Sequence, residues 1–394
     1  MTDLEDDLPS SAAAALPEAA FRSLSLRRLR LTAFRSYTAL DLAVGESSVV
    51  LTGPNGAGKT NLLEALSFLA PGRGLRRARL GDVGAWKSDT SWSVFAEIVA
   101  GDETWRLGTG LDEEAARPRR IARIDGENRP PSAFAERLSV QWLSPAMDRL
   151  FLESPAGRRR FLDRLVFAQD PAHAGRVAAY ERAMRERARL LREGQGDRVW
   201  LEALESRMAA EGTAIAVARQ LCVDALGRAL GSAQGPFPAA ALNVAGELED
   251  LLAGGPALAA EQHMAERLAE GRRLEAAGGG APIGPHRSDL LVYHGAGGSP
   301  AAACSTGEQK ALLISIVLAN ARLDAARRGQ APILLLDEVV AHLDANRRAA
   351  LFEALDALAA QAWMTGTDRS LFDAMPAGTR FLDVAPGSTV SEEK

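Results

Sequence analysis

One strand-to-helix turn near the start of the chain constrains its fold more than any other feature. Val49–Val50–Leu51–Thr52 is a short apolar run, and Gly53–Pro54–Asn55–Gly56–Ala57–Gly58–Lys59–Thr60 follows it directly. A helical pattern then runs from about Thr60 to Leu69. The octet fits G-x-x-x-x-G-K-[ST] at every fixed position and sits between the strand and the helix that such a loop needs. Each residue type answers to phosphate chemistry. The glycines let the backbone curl so that successive N–H groups face one phosphate. The helix N-terminus adds partial positive charge. Lys59 is expected to neutralise β- and γ-phosphate oxygens, and the Thr60 hydroxyl to ligate Mg²⁺. Gly53, Pro54, Asn55, Gly56, Ala57, Gly58, Lys59 and Thr60 are thus the expected cradle for ATP, on an α/β core.

A triphosphate site needs acidic groups as well. Pro332–Ile333–Leu334–Leu335–Leu336 is an apolar strand ending in Asp337–Glu338. Two adjacent acids at the end of a buried strand are costly unless a cation or a reacting group uses them. Asp337 is expected to hold Mg²⁺, and Glu338 to orient and polarise an attacking water. Most of the chain separates Lys59 from Asp337. A lobe is therefore inserted between them, and the two ends must fold together to make one site.

The pattern along the chain supplies that lobe. Strand signals at 24–35, 40–44, 92–99, 104–109, 121–124 and 127–129 give an α/β part over 22–153. Residues 156–230 are dense in Ala, Leu, Arg and Glu, with helical spacing over about 156–168, 172–193 and 197–230. With the Gly-, Pro- and Ala-rich stretch at 231–260 and a helix over about 257–275, they define a helical second lobe or arm over 154–280. It is too short and irregular for a long coiled coil. Residues 281–394 return to α/β character, with a strand at 290–293, a helix over 307–328, a buried strand at 333–336, a helix over about 345–361 and a strand near 380–384.

Charge narrows the partners. Residues 1–21 contain Asp3, Glu5, Asp6, Asp7 and Glu18 and no Lys or Arg, which accounts for the whole formal charge of −5. That acidic tail is expected to be disordered. The remainder is near neutral, so nucleic-acid binding needs a local patch. Arg73, Arg76, Arg77 and Arg79 form one candidate. Arg117, Arg119, Arg120 and Arg123 form another, and Arg158–Arg160 a third. Cys222 and Cys304 have no metal-ligand spacing, no apolar run is long enough to span a membrane and no secretory leader opens the chain, so a reduced cytoplasmic setting is expected.

Several motifs also carry a resemblance. Cys304–Ser305–Thr306–Gly307–Glu308–Gln309–Lys310 heads an apolar helix and resembles the ABC signature in the form S-x-G-[EQ]-[QR]. Val339–Val340–Ala341–His342–Leu343–Asp344 resembles the D-loop, although Asp344 reads equally well as the N-cap of the next helix. Leu31–Tyr37 is similar to an N-F-R-N-Y element, and Ser154–Asp163 to S-P-x-x-R-R-x-F-L-D. Tyr180–Arg187 resembles the start of an arm helix, and Gly284–Leu290 a G-P-H-R-x-D element. Together they resemble the RecF family of ABC/SMC-like ATPases over about residues 24–385.

The resemblance implies an ABC-type ATPase head with an inserted helical lobe. It implies ATP-dependent homodimerisation, with Ser305 and Gly307 closing over the γ-phosphate bound by the other subunit. It implies DNA as partner (single-stranded, gapped or junction), RecR and RecO as protein partners, support of RecA loading and the SOS response, and release on weak, DNA-dependent ATP hydrolysis. Arg35 would then reach nucleotide or DNA, or be an ordinary surface arginine. Gln141 would lie where a Q-loop joins the lobes. His286 and Arg287 suit either a turn or a nucleotide-linked role. The His usual in the superfamily after the strand that follows the acidic pair is missing from Trp363–Asp368, where Thr365 or Thr367 is the expected replacement. Another DNA-associated ATPase of the superfamily is the alternative reading. A transporter ATPase subunit fits poorly, because its signature would lie closer to the phosphate loop.

Overall fold

The computed structural model describes residues 21–392 apart from 86–87, 89, 113–117, 195–196, 232–234 and 296–297. Residues 1–20 of the expected acidic tail, and Arg117, lie outside that description. Alternating apolar positions make β1 (Leu24–Phe34), which pairs antiparallel with β2 (Tyr37–Ala43). The alternation slips at a bulge between Leu26 and Arg28, so the buried leucines are Leu24, Leu26, Leu29 and Leu31. β3 (Val49–Thr52) leaves this sheet for another and leads through the Gly-rich turn into α1 (Lys59–Ser67). β4 (Ser93–Ala100), β5 (Glu103–Asp112), β6 (Arg119–Ile124) and β7 (Glu127–Arg129) complete an antiparallel sheet of order β2-β1-β4-β5-β6-β7.

After α2 (Phe134–Arg137) comes β8 (Val140–Leu143), buried at all four positions. The helical region follows with α3 (Pro155–Gln169), α4 (His173–Glu193) and α5 (Arg198–Gly231). The Gly-, Pro- and Ala-rich stretch then holds a strand and a helix absent from the expected pattern, β9 (Ala240–Ala245) and α6 (Glu247–Gly254). The helix expected over 257–275 is two, α7 (Ala257–Glu270) and α8 (Arg272–Ala276), with Gly271 between them. A Cβ at Gly271 would stand 2.9 Å from Pro282 Cγ, so the break lets Pro282 pack close. β9 pairs antiparallel with β10 (Asp289–His294), on the far side of the expected lobe limit at 280. The arm has its own small core, including Tyr180, Met208, Ile215, Met264, Leu268 and Ile283. At its centre Arg187 donates to Glu205, Glu275 and the Leu268 carbonyl.

The chain then returns through α9 (Thr306–Arg328), β11 (Ile333–Leu336), α10 (Ala345–Ala357), β12 (Ala362–Thr365), β13 (Arg380–Ala385) and β14 (Thr389–Glu392). The central sheet has order β14-β13-β3-β12-β11-β8, parallel from β13 to β8, with β14 antiparallel. β3, β11, β12 and β8 are buried along their whole length, as strands covered on both faces must be. Each buried Val or Leu contributes about 1.5–3 kcal/mol. α10 stops short of its expected end at 361, because Ala359 turns left-handed (φ 50) and Gln361 enters the core. There the Gln361 side chain accepts from Leu26 N–H at 2.8 Å and donates to the Gly45 and Ser47 carbonyls, joining the two large sheets.

Candidate functional site

The carboxyl ends of β3, β11 and β12 lie side by side, since Leu51 is level with Thr365 and Met364 with Leu336. Open parallel sheets bind ligands along that edge. Three residues from distant parts of the chain meet there. Thr60 Oγ1 donates to Asp337 Oδ1 at 2.9 Å, and Thr365 Oγ1 donates to the same oxygen at 2.8 Å.

The phosphate loop already has its curled form. Gly53 has φ 129, and a Cβ there would stand 2.3 Å from the Val384 carbonyl oxygen. Gly58 has φ 115 and caps α1, where a Cβ would meet Ser388 Oγ at 2.9 Å and Tyr37 OH at 3.0 Å. Both positions therefore exclude a side chain. Lys59 Nζ donates back to the carbonyls of Gly53 at 2.6 Å and Pro54 at 2.9 Å. Burial pushes its ammonium below the usual lysine range, while Glu338, Asp337 and Asp383 hold it up.

Burial pushes the Asp337 carboxyl above the usual carboxylate range. The Thr365 and Thr60 hydroxyls oppose that rise, Glu338 adds to it and Arg76 counters it. A buried carboxylate so placed gains from an adjacent cation. Thr60 and Asp337 are hard oxygen donors within 2.9 Å of one another. Among the described residues, no three His, Cys, Asp or Glu side chains gather into a metal cage. A site with one carboxylate, one hydroxyl and room for phosphate oxygens suits Mg²⁺. Glu338 is half-buried with φ 53, and its N–H donates to Thr365 Oγ1 at 2.9 Å.

Ser305 caps α9 in a reciprocal capping box with Glu308. Ser305 and Gly307 are exposed and make no hydrogen bond to the phosphate loop among the described residues. Asp344 caps α10, its carboxylate accepting from Arg347 N–H at 2.9 Å. Thr365 reaches the acidic pair, whereas Thr367 is exposed.

Other expected site residues lie elsewhere. Gln141 pairs with Leu334, well short of the strand ends, and its side chain bonds Asn320 at 3.1 Å and Asp324 at 3.4 Å on α9. It fastens the signature helix to the sheet and does not face the phosphate loop. Arg35, itself left-handed at φ 54, is spent on Glu64 at 2.6 and 2.9 Å and on the Asp82 carbonyl at 2.6 Å. Glu64 is fully buried on α1 and also accepts from Arg76 at 2.7 Å. Nothing in the local sequence signals this clamp, since its arginines come from the turn after β1 and from the loop after α1. His286 bonds Tyr180 OH at 2.7 Å and the Ala281 carbonyl at 3.2 Å, and Arg287 donates to that carbonyl at 2.7 Å. Both serve the turn, and burial pushes the His286 imidazole down to about 4.

The basic clusters separate in the same way. Arg120 is half-buried, donates to the Ala70, Gly72 and Phe68 carbonyls and stacks on Phe68 and Phe134. Arg119 pairs with Asp112, and Arg123 bonds Asn128. Arg158 pairs with Asp289 at 2.7 Å, and Arg159 donates to the Ser288 carbonyl at 2.7 Å. Those two bonds dock the G-P-H-R-S-D turn on the S-P-A-G-R-R segment. Arg73, Arg77 and Arg160, by contrast, are exposed, lack any side-chain hydrogen bond or ion pair among the described residues, and line a cleft of about 820 Å³ that reaches Thr60 and Asp337. Partial burial of its guanidinium and its neighbours Arg160 and Arg73 hold Arg77 below the usual range, with Glu181 opposing.

Comparisons with known proteins agree with this architecture. The sequence model of the family described as RecF/RecN/SMC N terminal domain matches residues 25–386. The DNA replication and repair protein RecF of Rhizobium rhizogenes (strain K84 / ATCC BAA-868) is 48% identical over 365 residues, covering 92% of this chain and 97% of that protein. The protein of the same name from Brucella abortus (strain 2308) is 48% identical over 369 residues, covering 92% and 95%. A solved structure of the recombination mediator protein RecF-ATPrS in the RecFOR pathway superposes with TM-score 0.82 at 19% identity, covering 95% of this chain and 100% of that one. An Smc head domain from Pyrococcus furiosus reaches TM-score 0.51 at 15% identity, covering 94% and 96%. At such identities the two structures speak for the fold alone.

Proposed function

Because the chain belongs to the RecF/RecN/SMC N-terminal domain family, with relatives named RecF at 48% identity, we propose that it is a DNA repair and replication ATPase that works as a nucleotide-driven clamp. The observation that carries this reading is the meeting of Thr60 and Asp337 at 2.9 Å beside the curled phosphate loop.

In this reading Lys59 exchanges the Gly53 and Pro54 carbonyls for β- and γ-phosphate oxygens, and Gly53–Thr60 cradle the triphosphate. Thr60 and Asp337 would hold Mg²⁺, which when bound would supply positive charge against the triphosphate. Glu338 accepts a hydrogen bond from the attacking water and orients it, while Thr365 fixes the Glu338 backbone. Ser305 and Gly307 lie open at the N-terminus of a long helix, a ready anion site. They close over the γ-phosphate bound by a second copy, so that two ATP molecules are sandwiched in a homodimer.

Arg73, Arg77 and Arg160 take DNA phosphates, with single-stranded, gapped or junction DNA as the substrate class. Hydrolysis opens the dimer and releases the DNA. RecR and RecO as partners, and RecA loading and SOS induction as outcomes, follow from the family in the same reading. Among the described residues, no helix is long and apolar enough to cross a membrane.

The test is the Glu338→Gln variant with saturating ATP and Mg²⁺, followed by light scattering. It is expected to bind ATP, to stall hydrolysis and to accumulate as dimer, whereas Lys59→Met stays monomeric. A Glu338→Gln chain that remains monomeric under those conditions overturns the sandwich.

A further inference from the structure

The described chain holds one buried cation at the acidic pair for which phosphate binding gives no use. Lys310 lies on the second turn of α9, five residues after Ser305. It is 7% exposed, and its Nζ approaches the Glu338 carbonyl oxygen at 3.4 Å and Asp148 Oδ2 at 3.7 Å. Asp148 closes the turn Pro145–Met147 directly after β8. The ammonium therefore stands between the signature helix, the end of β8 and the residue proposed to orient water.

The backbone of Glu338 needs such support. At φ 53 it occupies the left-handed region, where a residue with a Cβ stays only if its surroundings hold it. Its N–H is held by Thr365 Oγ1 at 2.9 Å, and its carbonyl is met by Lys310. The two contacts grip one peptide unit on either side of the Glu338 Cα. Shifting α9 moves Lys310 and with it the second grip.

The residue type fits the task. This chain uses arginine almost throughout, and its lysines are Lys59, Lys87, Lys310 and Lys394. A compact ammonium on a flexible stem can face a carbonyl and a carboxylate in a narrow space, where a planar guanidinium imposes a fork. Burial pushes the Lys310 ammonium down, with Asp148, Glu338 and Asp337 opposing the fall. Contacts of 3.4 and 3.7 Å are long, and a few tenths of an ångström of helix movement would tighten them.

We propose that Lys310 is a positioning residue that ties the signature helix to Glu338 of the same subunit, so that seating the partner's nucleotide against Ser305 and Gly307 sets the water-orienting carboxylate in the site across the seam. The inference rests on the dimeric reading above. It makes the two sites interdependent, because each subunit's signature reports on one ATP and adjusts hydrolysis of the other.

The test uses the full chain and its Lys310→Met, Lys310→Ala and Lys310→Arg variants. Met keeps the packing of the stem that Ala removes. Lys310→Met is expected to lose about 10-fold or more in kcat with KM for ATP within about 2-fold, and to keep ATP-dependent dimerisation. Lys310→Arg is expected to recover part of kcat. The decisive measurement is a heterodimer of one Lys310→Met chain with one Glu338→Gln chain. If Lys310 acts on its own subunit's Glu338, one site is stalled and the other runs at the Lys310→Met rate, so turnover falls about 10-fold or more below that of a wild-type/Glu338→Gln heterodimer. If it acts only through the signature on the partner's ATP, turnover equals that of a wild-type/Glu338→Gln heterodimer, and the inference is overturned. A wild-type kcat for Lys310→Met, in a chain that dimerises and hydrolyses normally, overturns it alone. A wild-type chain that neither dimerises nor hydrolyses ATP overturns the dimeric reading beneath it.

Discussion

Thr365 and Asp337 share a hydrogen bond of 2.8 Å, and the same Thr365 hydroxyl accepts from Glu338 N–H at 2.9 Å. One hydroxyl at the end of β12 thus orients both members of the acidic pair that ends β11. A serine can do the same, and an apolar isostere cannot.

Thr365→Val should therefore lower kcat by about 10-fold or more and destabilise the fold by about 1–3 kcal/mol, because it strands a buried N–H and removes one donor to a buried carboxylate. Thr365→Ser should restore most of both. Steady-state ATPase assays beside thermal unfolding of the two variants check this. Equal kcat for Val and wild type would contradict it.

Glu64 is fully buried and holds Arg35 and Arg76. Removing Glu64 takes the carboxylate from Arg35, which is 19% exposed, while Arg76, 41% exposed, can turn to solvent, so Glu64→Ala should cost about 1–3 kcal/mol of stability. Denaturant titration reads it directly. The loss should reach nucleotide binding too, because Glu64 stands on the helix that begins with Lys59.

The Arg73, Arg77 and Arg160 cluster should govern the salt response of DNA binding. Each Arg→Ala change is expected to weaken binding to all sequences alike and to lower the slope of log affinity against log salt by about 1. The paired Arg119→Ala, with its partner Asp112, should leave that slope nearly unchanged. Slopes from fluorescence anisotropy at several salt concentrations decide the matter.

His286 predicts a pH dependence. Its imidazole is depressed from 6.5 to about 4, chiefly by burial. Between those values the unfolded chain binds the proton and the folded chain does not, so folding stability rises with pH across that window and is lost as pH falls toward 4. The slope from this one group is at most about 1.4 kcal/mol per pH unit. Urea midpoints measured at pH 4.5 and 7 should converge in a His286→Gln variant relative to wild type.

Much of this arrangement is legible in the residues themselves. The phosphate loop, the acid-ended strand and the signature helix carry local chemistry that periodicity alone can place, and each lies on its expected element. Only tertiary structure shows that the Gln141 side chain, expected where a Q-loop joins the lobes, bonds Asn320 and Asp324 of α9. The pairing of Arg35 with Glu64 was not legible for the same reason, since Glu64 looks like any helix glutamate. β9 is too rich in alanine to signal a strand and owes its form to pairing with β10. Lys310 carried no signal, because the contact with Glu338 joins elements that nothing local connects.

The order β13-β3-β12-β11-β8 has a consequence for synthesis. β3 precedes both of its neighbours, β12 and β13, by most of the described chain. A nascent chain carries the Gly-Lys-Thr turn with no strand on either edge of β3 until β12 and β13 have been made. Quality control thus has a simple cue, since a prematurely terminated chain cannot retain nucleotide and presents two bare strand edges to chaperones and proteases.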